Sequence, residues 1–342
     1  MLLLLDGSSM LSSCFFGTVP KAYHGAKTEQ EIKKALKKIM QTKKGLYTNG
    51  VFAMTKTLLG IIEKQNISKV VVAWDVSRNT FRKELYPEYK ANRSETRPEL
   101  VEQYKLMQEI LDSAGIAQYF VKGYEADDII GTIANMYQEK MPICVMSKDM
   151  DLAQLIDDKV RFWQMTSKAP QILEELGGIE QGLLPGNVVE FTVSSFKKYH
   201  NISPNQVTDF KAIVGDVSDN IPGVKGVGEK TAIPLLREYE SLEEIYEAIE
   251  DEEDFKNVTA ELGIKNPINK LQKKKNKELA FLSKQLGTIE KNVPVEVNEE
   301  DFEVELNWEE LNKKFEKLEF FSLIRQVQPE QPEETQQQIL FS

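Results

Sequence analysis

Acidic side chains follow the ends of the predicted strands in this chain. In an open α/β sheet, ligands bind outside the carboxyl ends of the strands, so side chains at those ends are expected to converge. The last two acids are three residues apart and share one face if their segment is helical. The set comprises Asp6, Asp75, Glu125, Asp127, Asp128, Asp149, Asp151, Asp216 and Asp219.

Taken one at a time, these acids have ordinary structural roles, because Asp commonly caps helices and acids in a first turn balance the helix dipole. Taken together, so many carboxylates at one sheet edge would repel one another unless cations were bound. Mg²⁺ and Mn²⁺ take oxygen ligands and would remove that repulsion. Two such ions about 4 Å apart form a clamp for in-line displacement at phosphorus. The acids therefore predict metal-assisted phosphodiester hydrolysis.

The scarcity of other catalytic residue types supports that chemistry. His24 and His200 are the only histidines, which argues against Ser-His-Asp catalysis, a His general base and a His-based zinc site. The two cysteines, Cys14 and Cys144, have no metal-type spacing and indicate a reducing cytoplasm. We therefore expect an enzyme of this composition to work with carboxylates and metals.

The opening MLLLLDGSSMLSSC resembles the start of a signal peptide, with LSSC as a lipoprotein cleavage site. However, Asp6 interrupts the leucines and no Lys or Arg precedes them, so the features of a signal peptide are missing. A short continuous apolar run instead predicts a strand buried on both faces. No apolar run approaches the roughly 20 residues that span a bilayer, and we expect no membrane partner.

Strand and helix patterns alternate along the first part of the chain. Strands are predicted at LLLLD, KVVVAWD, IAQYFV and PICVMS, and helices over residues 48–65, at PELVEQYKLMQEILDSAG, at YEADDIIGTIANMYQEK and at DLAQLI. The alternation predicts an α/β fold with a mostly parallel sheet flanked by helices. Residues 165–185 are irregular and predict a loop or hairpin excursion.

Four units follow from these patterns. Residues 1–202 form the α/β domain, residues 203–290 a helical subdomain, and residues 291–325 an acidic segment that packs back. Residues 326–342 are polar and contain prolines, so they are predicted to be disordered.

The net charge of −11 would argue against nucleic acid as a partner, but its distribution is uneven. Residues 291–342 carry 13 acidic and 5 basic residues, so much of the acidity lies in that part of the chain.

A basic segment at residues 76–98 directly follows the acid at the end of the second predicted strand. Phe81, Tyr86 and Tyr89 lie between its cations, an arrangement that suits phosphate contacts beside base stacking. Lys90 and Arg93 share a face if the segment is helical and could grip one phosphate. The cations are Arg78, Arg82, Lys83, Lys90, Arg93 and Arg97.

The glycine-rich stretch IPGVKGVGEKTAIPLL lies between two helical patterns. Its spacing predicts a helix-hairpin-helix, in which glycines let backbone N–H groups approach a phosphate and the second helix offers its N-terminus. Such a contact reads the duplex backbone without regard to sequence, and we expect K⁺ as an accessory ion. The residues concerned are Gly223, Lys225, Gly226, Gly228, Lys230 and Thr231.

Four motifs in chain order resemble the 5′-nuclease (flap endonuclease) family: YPEYKANR, GYEADDIIG, SKDMDLAQLI and GDVSDNIPGVKGVGEKTA. Over residues 1–290 the chain resembles the 5′→3′ exonuclease domain of bacterial DNA polymerase I and its stand-alone bacterial and phage relatives. The resemblance implies a PIN-like fold with a helical arch at residues 76–98. It also implies Mg²⁺-dependent cleavage of DNA at 5′-flaps, nicks, gaps and RNA–DNA primer junctions in replication and repair.

The same resemblance implies roles for individual residues. One metal ion would lie near Asp6, Asp75, Glu125, Asp127 and Asp128. The other would lie near Asp149, Asp151, Asp216 and Asp219. Lys90 and Arg93 would contact the scissile phosphate, and Tyr89 would stack on a base. Independently of the resemblance, the basic composition of residues 76–98 predicts further DNA contacts from Arg78, Arg82 and Lys83.

The chain ends in QQQILFS, and Gln337, Leu340 and Phe341 resemble the Q-x-x-L-F peptide by which bacterial proteins bind the sliding clamp. Apolar residues at the end of a polar tail often mark an interaction site, and tethering would raise the local concentration of the enzyme at its substrate.

We expect a monomer in the cytoplasm of a bacterium or of a phage-infected cell. Two alternatives stay open: a PIN-like RNase, and a non-catalytic DNA-binding module recruited by the clamp. The hairpin and the YKANR motif argue against the RNase, and a non-catalytic module would have lost acids that this chain retains.

Overall fold

The computed structural model describes residues 1–178 and 184–325. Its strands are β1 Leu2–Asp6, β2 Lys69–Ala73, β3 Ala117–Tyr119, β4 Ile143–Ser147, β5 Val160–Met165 and β6 Val188–Phe191. They form one sheet in the order β3-β2-β1-β4-β5-β6, with parallel pairing except between β5 and β6. The predicted α/β fold with a mostly parallel sheet is confirmed.

Helices connect these strands and cover both faces of the sheet. They are α1 Gly7–Thr18, α2 Lys21–His24, α3 Glu29–Leu36, α4 Asn49–Lys64, α5 Phe81–Leu85, α6 Pro98–Ser113, α7 Ala126–Tyr137, α8 Ala169–Glu175 and α9 Val193–His200. A short 3₁₀ helix, Met150–Leu155, follows β4.

The second part of the described chain is helical. Its helices are α10 Val207–Val214, α11 Glu229–Glu238, α12 Leu242–Ala248, α13 Glu252–Glu261, α14 Ile268–Leu271, α15 Lys274–Gly287 and α16 Trp308–Lys317. Short 3₁₀ helices lie at Pro204–Gln206, Glu299–Phe302 and Phe321–Leu323. No helix in the described ranges is both long enough and apolar enough to cross a membrane.

The leucines at the N-terminus form the central strand. Leu2 and Leu4 face one hydrophobic cluster and Leu3 and Leu5 face the other, and all four are fully buried. Because the strand is covered on both faces, its sequence is continuously apolar rather than alternating. The first of the predicted acids, Asp6, is thereby placed at the carboxyl edge of the sheet.

Two short segments differ from the helical expectation. Gly215 has φ of +79°, and α10 ends before it, so Asp216 and Asp219 lie in a turn and not on a helix. Ser218 N donates to the Asp216 carboxylate at 2.7 Å, which fixes this turn locally. In the basic segment, Lys90 has φ of +54° and lies in a turn, which excludes the shared helical face expected of Lys90 and Arg93.

The segment predicted as a loop or hairpin excursion contains regular structure. After β5 ends, Pro170 stands in the first turn of α8, where its missing N–H costs no helical hydrogen bond. The chain then returns as β6, paired antiparallel with β5 at the edge of the sheet. The predicted excursion is therefore present, but it contains α8 between the antiparallel strands β5 and β6.

Residues after α15 pack against the first part of the chain. Phe302 lies edge-on to Tyr137, with ring centroids 5.0 Å apart, and Phe320 lies edge-on to Phe52 at 5.2 Å. Val304 N donates to the Ser68 carbonyl at 2.8 Å. These contacts fit the predicted packing of residues 291–325, while the division of the chain into units stays a prediction.

Candidate active site

A cleft of about 1480 Å³ opens at the carboxyl ends of β1, β2 and β4. Acids of the predicted set line it, as do basic residues of the segment between β2 and α6. The acids are Asp6, Asp75, Glu125, Asp127 and Asp149, and the cations include Arg78, Lys83, Lys90, Arg93, Arg97 and Lys148.

Asp6 is held at the end of β1 by two hydrogen bonds. Its carboxylate caps α1 by accepting from Ser9 N at 2.9 Å, and it accepts from the Ser147 hydroxyl at 2.7 Å. Burial and the charge of Asp75 raise the pKa of Asp6 to about 7. Asp75 itself accepts from Ala126 N at 2.9 Å, so β2 and the start of α7 are joined at this point.

Asp127 and Asp149 complete this first group of acids. Burial raises the pKa of Asp127 well above its ordinary value, and the charges of Asp6 and Asp149 raise it further. Asp149 begins the 3₁₀ helix after β4 and accepts from Asp151 N at 3.0 Å. The four carboxylates therefore act on one another electrostatically across the sheet edge.

A second group lies beside the first. Carboxylate oxygens of Asp151, Asp216 and Asp219 lie within 4.8 Å of one another. Burial and the charge of Asp149 raise the pKa of Asp151 to about 7. Burial acts in the same direction on Asp216, but its ion pair with Lys211 at 2.6 Å prevails and lowers its pKa to about 2.

Lys211 was missed by sequence reasoning, although it contacts two predicted acids. Its ammonium group pairs with both Asp151 and Asp216. Burial opposes its charge, yet Asp151 and neighbouring acids raise its pKa above the ordinary value. The available signal was its position on α10, five residues before Asp216, in a helix that ends at the acidic turn.

The basic segment lies directly over the acids. The Lys90 ammonium donates to Glu125 at 2.8 Å and lies 3.6 Å from Asp219, which also pairs with Arg93. Lys90 N donates to the Asp219 carbonyl at 2.9 Å, so backbone as well as side chains join the segment to the acidic turn. Between β2 and α6 the basic segment has one short helix, α5, turns over residues 87–92 and irregular backbone elsewhere, so the expected helical arch is helical only at α5.

Arg82 and Asp128 contradict their predicted roles. Nη1 and Nη2 of Arg82 each donate to a carboxylate oxygen of Asp128 at 2.7 Å, and both side chains are buried. Asp128 also accepts from the backbone N–H groups of Glu125 and Glu290. With its oxygens so occupied, Asp128 offers none to a metal ion, and Arg82 is not exposed to DNA.

Tyr89 also differs from its predicted role as a stacking residue. The residue is 4% exposed, and its hydroxyl donates to Glu125 at 3.2 Å and lies 3.3 Å from Asp219. Because the ring packs in a small cluster with Ile221 and Leu286, it has no free face for a base.

The hairpin predicted between two helices is present between α10 and α11. A Cβ atom on Gly223 would lie 2.3 Å from Gly215 N, so the close approach of these two turns requires glycine. Gly226 has φ of +83°, which again favours glycine. On the hairpin, Thr231 is half-buried, and the exposed members of the predicted set are Lys225, Gly226, Gly228 and Lys230.

A second basic stretch beside the hairpin was also missed. Lys270 donates to the Gly226 carbonyl, and the next helix, α15, begins with lysines and has no acid in its first turn. Basic residues are unfavourable at a helix N-terminus because of the helix dipole. The sequence signal was the run KLQKKKNK, in which the exposed lysines are Lys273, Lys274, Lys275 and Lys277.

The fold and the site define an α/β domain with an acidic cleft at its strand ends, followed by a helical hairpin subdomain. Residues 1–177 match the family model described as 5'-3' exonuclease, N-terminal resolvase-like domain. Residues 202–310 match the model described as 5'-3' exonuclease, C-terminal SAM fold. The chain belongs to the 5'-3' exonuclease family.

Individual relatives agree with this assignment. The chain is 37% identical over 246 residues to the 5'-3' exonuclease of Bacillus subtilis (strain 168), covering 72% of this chain and 73% of that protein. It is 33% identical to DNA polymerase I of the same organism over 99% of this chain but 33% of the polymerase. The chain thus spans about a third of the length of its DNA polymerase I relatives.

A solved structure shows the same fold. The T5 D15 protein co-crystallized with metal ions superposes with a TM-score of 0.58 at 21% identity, over 83% of this chain and 88% of that one. The PIN-like fold expected from the resemblance is confirmed.

Proposed function

We propose that this protein is a structure-specific 5′-nuclease that hydrolyses phosphodiester bonds of DNA with divalent metal ions. The observation that carries the proposal is the proximity of two groups of acids beneath the basic segment, one lining the cleft and the other beside it. The first group is Asp6, Asp75, Asp127 and Asp149; the second is Asp151, Asp216 and Asp219.

The residues present fit hard divalent cations. All seven side chains offer carboxylate oxygens. Burial and neighbouring acids raise the pKa values of Asp6 and Asp151 to about 7, which supports a cation that would offset their buried negative charge. We propose Mg²⁺ or Mn²⁺ as the ions. When bound, such ions supply an activated water and stabilise negative charge on the reacting phosphate.

The chain's own cations would act on the substrate. Lys90 and Arg93 lie at the mouth of the acidic cleft and can exchange their carboxylate partners for a phosphate of the strand. Lys211 pairs with both Asp151 and Asp216 and so holds the second acidic group together. Ser147 orients Asp6 by donating to it.

The hairpin and the start of α15 would bind duplex backbone. Their exposed cations lie on adjoining elements joined by the contact of Lys270 with Gly226. Backbone contacts of this kind do not depend on base sequence. We therefore propose 5′-flaps, nicks, gaps and RNA–DNA primer junctions as substrates in replication and repair, with K⁺ as an accessory ion at the hairpin.

The proposed clamp peptide, Gln337, Leu340 and Phe341, lies outside the described residues. We propose that it docks the protein on a sliding clamp, and that the protein is a monomer working in the cytoplasm of a bacterium or phage-infected cell. Deletion of residues 337–342 should abolish clamp pull-down and leave flap cleavage intact. Pull-down that survives the deletion would contradict the docking proposal.

A labelled 5′-flap duplex incubated with Mg²⁺ or with EDTA tests the nuclease proposal. We expect Mg²⁺-dependent products with 5′-phosphate and 3′-hydroxyl ends, and loss of cleavage in Asp149→Asn. Binding without cleavage would favour the non-catalytic module, and preferential cleavage of RNA would favour the PIN-like RNase. Undiminished cleavage by Asp149→Asn would overturn the assigned site.

A further inference from the structure

The cleft extends beyond the acids along one side of α1. Ser9, Ser12 and Ser13 line it next, and Phe16 lies at the far end. Spacings of three, four and seven residues place these side chains on one helical face. The wall therefore changes from carboxylates to hydroxyls and then to an aromatic ring.

The far end of the cleft is apolar and exposed. Phe16 is 41% exposed and Val101, on α6, is 53% exposed. His24 lines the same end; its Nε2 lies 3.0 Å from the Phe16 carbonyl oxygen, and its ring centroid is 6.3 Å from that of Phe16. We call Phe16 and His24 the aromatic end of the cleft.

The surroundings of the aromatic end favour a nucleic-acid strand over an apolar peptide. Arg97 lines the same cleft, and its guanidinium lies 5.6 Å from the ring centroid of Tyr23, the residue before His24. Cations that track phosphates beside aromatic rings that stack on bases are the recurrent features of single-strand binding sites. Serine hydroxyls can donate to phosphate oxygens in between.

We propose that Phe16, supported by His24, stacks on an unpaired base of the 5′ strand that is cleaved. The proposal rests on the proposed nuclease function and adds a subsite for the flap. The base that stacks on Phe16 must be unpaired, because the bases of an intact duplex already stack on one another and present no free face.

Helix geometry gives the distance between the subsite and the acids. Phe16 is nine residues beyond Gly7, where α1 begins beside Asp6, so it lies about 14 Å along the helix. A stacked strand advances about 3.4 Å per nucleotide, so this length corresponds to about four nucleotides, and to fewer in an extended strand. A flap of one nucleotide is therefore too short to reach Phe16.

Steady-state cleavage of flaps of one and of eight nucleotides tests the proposal in the full chain. For Phe16→Ala we expect KM for the longer flap to rise about tenfold, within the range of base-stacking energies. We expect kcat to stay nearly constant, the one-nucleotide flap to be cleaved as by the wild type, and Phe16→Trp to restore KM.

Phe120→Ala is the matched control, because Phe120 is 56% exposed and does not line the cleft. Abasic nucleotides placed one at a time in the flap give a second readout that needs no variant. One abasic position among the first four or so nucleotides should weaken the wild type and have no further effect on Phe16→Ala.

Equal KM values for wild type and Phe16→Ala on the longer flap would overturn the stacking site while leaving the nuclease function intact. An equal rise on both flaps would also overturn it, because the effect would then not depend on an unpaired base. Failure of the wild type to cleave either flap would instead overturn the proposed function, and the subsite with it.

Discussion

At the scale of single residues, the raised pKa of Asp6 makes the free energy of unfolding depend on pH. The folded chain holds a proton on Asp6 up to a pKa of about 7, whereas the ordinary value is 3.8. Between these values the folded state binds more protons than the unfolded state, so the free energy of unfolding falls as pH rises. Metal ions, which bind the deprotonated ligands, would oppose this loss at neutral pH.

Asp6→Asn should remove that pH dependence. In EDTA we expect the Tm of the variant, relative to wild type, to be higher at pH 8 than at pH 5 by at least about 2 °C, because at pH 8 only the wild type carries a buried charge at position 6. Asp158→Asn, at an exposed position, serves as the control. Scanning calorimetry at the two pH values measures the effect, and a constant Tm difference would contradict it.

Arg82→Ala tests the structural role that replaces the predicted DNA contact. Removing one partner leaves the buried Asp128 carboxylate unpaired, so we expect a loss of about 3–5 kcal/mol in the free energy of unfolding. Arg78→Ala, in the same segment but exposed, should change stability little. Urea unfolding measures the free energy of unfolding of both variants. Equal values for the two variants would contradict a stabilising role of the ion pair between Arg82 and Asp128.

The sequence indicated which acids lie near the ends of the strands but not what each of them contacts. Asp127 and Asp128 are neighbours on α7, and successive helical residues point in different directions. Only the fold shows that Asp127 lines the cleft while Asp128 is paired with Arg82. Their identical chemistry and adjacent positions gave no signal of this difference.

At the scale of elements, the N-terminus of α15 carries lysines that disfavour the helix. No acid lies in the first turn beside Lys273 and Lys274, and only Lys274 has an exposed i,i+4 partner, Glu278 at 4.0 Å, so the helix dipole acts unfavourably on these lysines in the free protein. A bound phosphate backbone would reverse the sign of that interaction. This is the physical reason for assigning these lysines to duplex binding.

Lys273→Ala together with Lys274→Ala should weaken duplex binding in a salt-dependent way. We expect the slope of log K against log salt concentration to decrease by about 2, because each lysine that binds a phosphate contributes roughly one to that slope. The matched pair Lys313→Ala and Lys317→Ala lies on α16. Fluorescence anisotropy over a range of salt concentrations compares the two, and equal slopes would exclude α15 from the interface.

Long elements were predictable from sequence and short ones were not. The central strand and α4 follow from continuous or periodic apolar residues, whose burial determines their structure. The turn at Asp216 depends on Gly215, and the turn at Lys90 on contacts with residues far along the chain. Periodicity does not record such tertiary contacts, so the sequence left open whether these segments are helical, and the shared helical faces considered for them do not form.

At the scale of the whole molecule, residues 291–325 complete the hydrophobic core. Phe302, Leu311, Phe315 and Phe320 are nearly fully buried, and the first belongs to one cluster while the other three belong to the second. Burial of each such side chain stabilises the fold by about 1.5–3 kcal/mol. Both faces of the sheet therefore depend on this segment.

Truncation after residue 290 should leave the protein largely unfolded at 37 °C. The loss of four buried side chains is comparable to the entire stability of a domain, about 5–15 kcal/mol. Truncation after residue 325, which retains every described contact, is the control. Thermal melts followed by circular dichroism measure the Tm of both truncated chains. A cooperative transition at the wild-type Tm in the shorter chain would contradict the prediction.

The buried Arg82 also limits how this chain can be recombined with its relatives. Besides pairing with Asp128 on α7, it donates to the carbonyl oxygens of Leu286 and Thr288, at and just beyond the end of α15. One side chain thus joins three stretches that are distant in sequence. A chimaera that takes residues 76–98 from another family member should inherit α7 and residues 286–290 from the same parent, because crossovers between them would separate a buried cation from its partners.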